Sequence, residues 1–480
     1  MAHAVVVGAG VAGLGCALAF SARGHEVTLV ERDVLTGDGP VTLDQRHGTP
    51  QSRHSHAFLA RLRNLLRDHE PEVLAALLDA GATELRFAED MPDTIEDRSP
   101  RPGDEDLVAI ACRRTVFEQV VRDVVLARPG VTLVDGAGVD GLLLAPGDDA
   151  VPRVIGIRAR RDGTEVEVRG EAVVDAGGRR SRLPELLAAA GCTAPTEEQE
   201  ECGIVYLSRF YDLAPGREMP RQEGPIGGDL GYLKYAIFPG DRRSFSITFA
   251  VATGDHDLRT LLLSPAVFEA VAATLPITRP FADPALAAPV TDVALMAGLR
   301  NQYRRFVVDG APVATGVHAV GDAHVCTNPL YGRGCALAMV HAHLLAEVLD
   351  DRGWATSEAV MAFHDATAEV LGPWYEVSVA QDRASMAALE AGDAGPNGGL
   401  AEILRDGLLP AARTDAEVFR AFVRAFNLLD HPNAVMEDPV LVGKVLQTFQ
   451  DRDTRPPVVP DGPDRDALLA VAHAAHAAAP

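Results

Sequence analysis

Two short, largely apolar runs without a charge, "AVVV" and "VTLV", flank a glycine-rich break and an apolar stretch in residues 4–30. Runs of that length suit strands buried on both faces, and the stretch between them, closed by Gly24, suits a helix. Val116, Phe117, Val120, Val121, Val124 and Val125 form a helical stripe. "RVIGIRARRDGTEVEVRGEAVVD" reads as strands with a hairpin turn at Asp162-Gly163. Residues 203–252 are β-rich in "GIVYLSRFYDL", "GYLKYAIFPGD" and "SFSITFAVATG", with "GDRR" as a turn. Helical patterning returns over 264–286, "HAVGD" is a further short buried strand, and "ALAMVHAHLLAEVL" is a helix. From about 355 the chain is Ala/Leu-rich and helical, with loops at "AGDAGPNGG" and "DTRPPVVPDGPD" and a last helix, "DALLAVAHAAHAAAP", expected to be loosely held.

The break "GAGVAG" gives each glycine a task. Gly8 permits a tight turn, Gly10 lets backbone approach a pyrophosphate, and Gly13 lets the helix pack close to the strand. Glu31 ends the second strand where it can accept hydrogen bonds from an adenosine ribose. Strand, glycines, helix, strand and acid together point to a dinucleotide site. The pattern predicts an α/β chain in which a parallel sheet starts, is interrupted by β-rich insertions and resumes near residue 317. The expected division is a discontinuous Rossmann-like nucleotide domain over 1–75, 100–185 and 295–350, a β-rich substrate domain over 186–294 with 76–99 as a contributor, and a C-terminal helical region over 351–480.

Composition removes several alternatives. No Lys or Arg precedes the first apolar run, glycines interrupt it, and Arg23, His25 and Glu26 follow too soon for a secretion signal or a membrane span. A net charge of −24 argues against nucleic acid or an anionic membrane as partner. The six cysteines show no CxxC pair and no zinc-like spacing, so no metal is expected and the thiols read as reduced and packed. A cytoplasmic protein without integral membrane association is expected. Lys234 and Lys444 are the only lysines.

Three more motifs carry a resemblance. "VVDAGGRRS" contains Asp175 and Ser181; "AVGDAHVCTNPLYGRGCALAM" contains Gly321, Asp322, Pro329, Gly332 and Gly334; "CRRTVFE" contains Arg113 and Arg114. With "GAGVAG" they make the chain similar to the group A flavoprotein monooxygenases built like para-hydroxybenzoate hydroxylase, nearest the branch of polyketide and polyether epoxidases. "GTPQSRHSHAF" resembles the "PQxRHxH" loop of that branch. The likeness covers roughly residues 1–350.

The resemblance implies FAD. Gly8, Gly10, Ala12, Gly13, Glu31 and Arg32 would hold its adenosine diphosphate half, with Arg114, which Arg113 could assist, and with Val139 at the adenine. Asp175 would lie between the pyrophosphate and the nicotinamide approach, Asp322 on the ribityl chain beside Gly321, and Pro329, Gly332 and Gly334 at the flavin ring. Arg53, His54 and His56 would lie against the cofactor. Either histidine would serve as an acid or as a structural donor, the structural role being favoured.

The implied activity is transfer of one oxygen atom from a flavin hydroperoxide, formed with O₂, to a small organic substrate of polyketide or aromatic type. Hydroxylation and epoxidation both fit, in secondary metabolism such as antibiotic biosynthesis. NAD(P)H would supply electrons directly or through a separate flavin reductase. Tyr232, Tyr235 and Phe238 are candidates for substrate contact, with His54, His56 and Tyr235 as weak catalytic candidates. The alternatives are a reductase or desaturating oxidase of the geranylgeranyl-reductase type, a flavin carrier without turnover, and an NAD dehydrogenase. Halogenation is disfavoured: the flavin halogenases depend on an N-terminal lysine and usually a "WxWxIP" stretch, and this chain has no Lys before Lys234 and only Trp354 and Trp374.

Overall fold

The computed structural model describes residues 1–35, 45–146, 151–220, 226–391, 400–455 and 462–479. The loop read at "AGDAGPNGG", half of that at "DTRPPVVPDGPD" and the start of the loop after the second strand lie outside the described residues.

Five parallel strands form the central sheet in the order Val317–Ala319, Ala172–Asp175, His3–Val7, Glu26–Val30, Val131–Val134. Alternation sends their side chains to two separate cores. Ala4, Val6, Val27, Leu29, Ala172 and Val174 meet helices Val11–Ala22, Arg114–Ala127 and Gly334–Arg352. Val5, Val30, Val173, Val317 and Ala319 face the other way, onto the antiparallel meander Ala137–Leu144, Val154–Arg161, Thr164–Arg169. Its hairpin turn falls at Asp162 and Gly163, with φ of 49° and 79°. A turn that twists with its strands needs that left-handed pair.

The second large sheet is antiparallel. Strands Gly227–Asp229, Leu233–Pro239, Ser244–Ala252 and Ile204–Leu213 lie in that order, and Ala287–Pro289 and Ala294–Met296 both pair with the outer edge of Ile204–Leu213. Register places Ser208 opposite Thr248, Phe210 opposite Ser246 and Phe238 opposite Ser246. These residues share the face turned toward His54 and Ser55, which precede the helix Ala60–His69. The other face (Leu207, Tyr211, Leu233, Tyr235, Ile237, Phe245, Ile247, Phe249) packs on helices His256–Leu262 and Pro265–Thr274.

The last helix differs from expectation. Arg465–Ala478 is docked on that far-face core: Leu468 and Ala472 are fully buried, and Arg465 makes a bidentate bond to Asp255 at 2.8 and 2.9 Å. Its apolar stripe is narrow and alanine-rich, and its partner lies some 200 residues earlier. Helices Ser357–Val370 and Gly372–Ala391 pack back on the nucleotide core, while residues 403–445 gather a small core of their own. No helix among the described residues is long and apolar enough to cross a membrane.

Candidate cofactor and substrate site

Contacts that admit no side chain build the N-terminal turn. Gly8 has φ +103°, and a Cβ there would lie 2.6 Å from the Ala176 carbonyl oxygen; one at Gly13 would lie 1.8 Å from that of Gly8. Gly10 is different. A Cβ on it would reach only Thr49 Cγ2 at 3.7 Å and Arg114 Nη2 at 4.0 Å. The glycine is thus roofed by loose side-chain contacts, at the helix end that carries free N–H groups. Glu31 ties the turn to the second strand: Oε2 accepts the Ala9 N–H at 2.8 Å and Oε1 that of Asp33 at 3.0 Å. Arg32 points outward, its Nη2 3.5 Å from the His47 carbonyl oxygen.

Arg114 opens its helix and is buried. Nε donates to Glu118 at 2.7 Å and Nη1 to His56 Nε2 at 3.2 Å. Its neighbour Arg113 is committed elsewhere: Nε and Nη2 hold Asp241 at 2.9 and 2.7 Å, which fastens the turn at 240–243 to the start of helix Arg114–Ala127. Of the two, only Arg114 lies beside the glycine turn, near Gly10, while the Arg113 guanidinium is held by Asp241. Arg46, which the sequence reading passed over, lies against the glycine turn. Its Nη2 contacts the Ala9 carbonyl oxygen at 3.4 Å and Glu118 at 3.2 Å, Nη1 reaches Glu31 and Asp33 at 3.4 Å, and Nε is buried without a partner. A buried guanidinium N–H left over beside a helix N-terminus suits a diphosphate. The residues present fit the adenosine diphosphate half of FAD.

The distant glycine segment meets the same place. Gly321, at φ +58°, abuts Ala12: a Cβ on it would lie 2.9 Å from Ala12 Cβ. Its N–H donates to His341 Nδ1 at 3.2 Å. Asp322 is half-buried; burial raises its carboxyl, and the charges of Arg114 and Arg179 oppose the rise. Gly334 opens helix Gly334–Arg352, and a Cβ there would find nothing nearer than Asp322 Oδ1 at 3.9 Å. Gly332, at φ +66°, abuts Ala57: a Cβ on it would lie 2.8 Å from Ala57 Cβ, too close to fit. Asp175 ends its strand, accepting the Gly177 N–H at 3.0 Å and the Ser181 hydroxyl. Pro329 and Arg53 are exposed, and Val139 is half-buried against the meander core.

The near face of the antiparallel sheet carries a line of polar groups. His54 Nδ1 lies 3.1 Å from Ser208 Oγ, which is 2.8 Å from Thr248 Oγ1; Thr248 is 2.6 Å from Ser55 Oγ, and Ser55 is 2.7 Å from Ser246. Burial, aided by the Arg53 charge, pushes His54 down to about 4; burial and Arg114 push His56 down to about 3. Both imidazoles are neutral near pH 7. His56 donates from Nδ1 to the His54 carbonyl oxygen at 2.9 Å and accepts from Arg114 at Nε2, so both ring nitrogens are engaged within the protein. Tyr235 and Tyr232 do not face this site. Tyr235 stands opposite Phe249 in the far-face core, and the Tyr232 hydroxyl donates to the Pro463 carbonyl oxygen at 2.8 Å. Phe238 is half-buried on the near face.

Residues 3–40 match the FAD dependent oxidoreductase family. The chain is 28% identical over 509 residues to Protein Rv3254 of Mycobacterium tuberculosis, covering 95% of this chain and 97% of that protein. A triple mutant of the flavin-dependent brominase Bmp2 has a TM-score of 0.60 at 16% identity, over 95% of this chain and all of that one. OxyS anhydrotetracycline hydroxylase from Streptomyces rimosus gives 0.55 at 19%, over 89% and 76%. The chain thus shares its fold with flavin-dependent enzymes, among them a brominase and a hydroxylase, and its N-terminal turn matches the FAD dependent oxidoreductase family.

Proposed function

We propose that this chain is an FAD-dependent monooxygenase that places one oxygen atom of O₂ on a small organic substrate of natural-product, polyketide or aromatic type, by hydroxylation or epoxidation. NAD(P)H is the electron source, acting on this chain or through a separate flavin reductase. FAD, when bound, supplies the redox chemistry. Gly8, Gly10, Gly13, Arg46 and Arg114 hold its diphosphate, Glu31 the ribose, and Gly321, Asp322 and the Gly332–Gly334 helix start the ribityl chain and ring. The near face of the antiparallel sheet, with Phe238, Ser55 and Thr248, shelters the substrate from water.

The observation that carries this reading is the contact of Ala12 with Gly321, which brings two glycine motifs some 300 residues apart onto one site beside the buried Arg114. Halogenation is not favoured although flavin halogenases share the fold: Lys234, the first lysine of the chain, is ion-paired with Asp229 on the edge hairpin of the sheet.

The test starts from purified protein. It should be yellow, and denaturation should release FAD. NADH or NADPH consumption should rise with substrate and require O₂ for product. Turnover that persists without oxygen points instead to a reductase of the geranylgeranyl-reductase type. Colourless protein that takes up no added FAD ends the proposal.

A further inference from the structure

We propose that Asp382, on helix Gly372–Ala391, is the positioning residue of the loop Asn328–Gly334, so that the C-terminal helix shapes the flavin-facing turn without touching the cofactor. The inference rests on the FAD reading above and assigns a task to the part of the chain least like the family.

The loop has a demanding path. A single 3₁₀ turn over Pro329–Tyr331 is followed by Gly332 in the left-handed region and then by the start of a 19-residue helix. Little within the loop itself determines that path, and side chains from elsewhere grip it. Asn328, fully buried, is the junction. Its Oδ1 accepts from the Tyr206 hydroxyl at 2.7 Å and the Leu330 N–H at 3.0 Å, and its Nδ2 donates to Asp382 Oδ1 at 2.8 Å. Its backbone N–H donates to Asn301 Oδ1 at 2.8 Å, and Ser378 Oγ lies 3.2 Å away. Tyr206 belongs to the near face of the substrate-side sheet, so one amide joins sheet, loop and C-terminal helix.

Asp382 has no ion-pair partner among the described residues. It is 3% exposed and accepts from Asn328, from Asn301 Nδ2 at 2.7 Å and from the Tyr331 hydroxyl at 3.4 Å; burial raises its carboxyl. A buried carboxylate with no cation in direct contact is an expensive way to fill space, and a packed apolar residue would be cheaper. What it supplies is direction: two oxygens that fix which way two amides point. The same helix face continues the grip. Trp374, Ser378, Gln381 and Asp382 fall at helical spacing, and Trp374 and Gln381 flank the Arg333 guanidinium at 5.2 and 3.5 Å, with the Tyr331 ring on it at 4.6 Å.

Exchanging donor and acceptor tests this. Asp382→Asn leaves two amide donors facing each other on one side, and Asn328→Asp sets two carboxylates against one another. The double variant restores the central bonds and gives up the long Tyr331 contact: residue 328 accepts from Tyr206, Leu330 and the new amide at 382, and residue 382 accepts from Asn301. FAD affinity by flavin fluorescence, the visible flavin spectrum and the melting temperature are read for all four proteins. A second readout needs no flavin. With Trp354→Phe, Trp374 is the only tryptophan, and its emission in apoprotein reports the loop contact.

Each single variant should raise the FAD dissociation constant at least tenfold and shift the Trp374 emission. The double should return within threefold of the parent on both. Singles that bind FAD within threefold of the parent with unchanged emission overturn the proposal, as does a double no better than the weaker single, or a lowered melting temperature alone. If the parent itself takes up no FAD, the functional reading fails, while the emission series still decides whether Asp382 sets the loop.

Discussion

The two glycine segments reach the same site by different means. Around Gly8 and Gly13 the constraint is backbone against backbone, carbonyl oxygens standing where a Cβ would be. Around Gly321 and Gly332–Gly334 it comes from side chains borrowed from other elements: His341 for the Gly321 N–H, Asn328 and Asp382 for the loop, Trp374 and Gln381 for Arg333. The first is a backbone device, the Gly13–Gly8 contact lying within one turn and the Gly8–Ala176 contact between neighbouring strands. The second is a tertiary one, and it can be tuned from a distance.

Substitution should expose that difference most sharply. Gly13→Val should destroy the fold, costing about 4 kcal/mol or more because a backbone carbonyl cannot yield, and should give insoluble or FAD-free protein. Gly334→Ala should fold and melt close to the parent, since its Cβ meets only Asp322 Oδ1 at 3.9 Å. Equal damage from both would erase the distinction.

A smaller effect is expected at His341. It accepts from Gly321 and its Nε2–H donates to Thr367 Oγ1 at 3.0 Å, whose own proton goes to the Phe363 carbonyl oxygen. His341→Leu leaves a buried N–H unpaired and should cost about 1–3 kcal/mol, read as a lower melting temperature and weaker FAD binding. An unaltered melting curve would show that the second segment holds itself.

The mildest perturbation is acid. Burial pushes His318 down to about 4 and His324 to about 3, and holds His341 well below its usual value. The folded chain keeps these rings neutral while the unfolded chain protonates near 6.5. Their stability is therefore full above that pH and drains as pH falls from 6.5 toward 4. No histidine lies within the first turn, Gly8–Gly13. Hydrogen exchange, corrected for its intrinsic pH dependence, should accelerate in 317–334 more than in 3–15 between about pH 7.5 and 5.5. Parallel acceleration would contradict the asymmetry.

How much was legible in the chain follows the same division. The N-terminal turn and the Asp162-Gly163 hairpin are short-range, so spacing and residue type reveal them. The phase of a strand is not: period two in "LKYAIFP" says that alternate side chains part company, not which set faces the core, and Tyr235 went to the far side with Phe249. Arg46 sits in a loop with no periodicity, and only the folded chain sets it beside Ala9. Arg113 and Arg114 differ by one position at a helix start, and Asp241, 128 residues on, decides between them. Asn328 and Asp382 form no motif at all.

The six thiols have a consequence for durability. All are buried, and burial raises the proton affinity of each. Sulfenic acid forms from exposed thiolate, and this chain presents none. On the proposed monooxygenase reading, hydrogen peroxide from idle cycling would find no sulfhydryl to attack until the polypeptide opens, so activity should survive it without added reducing agent.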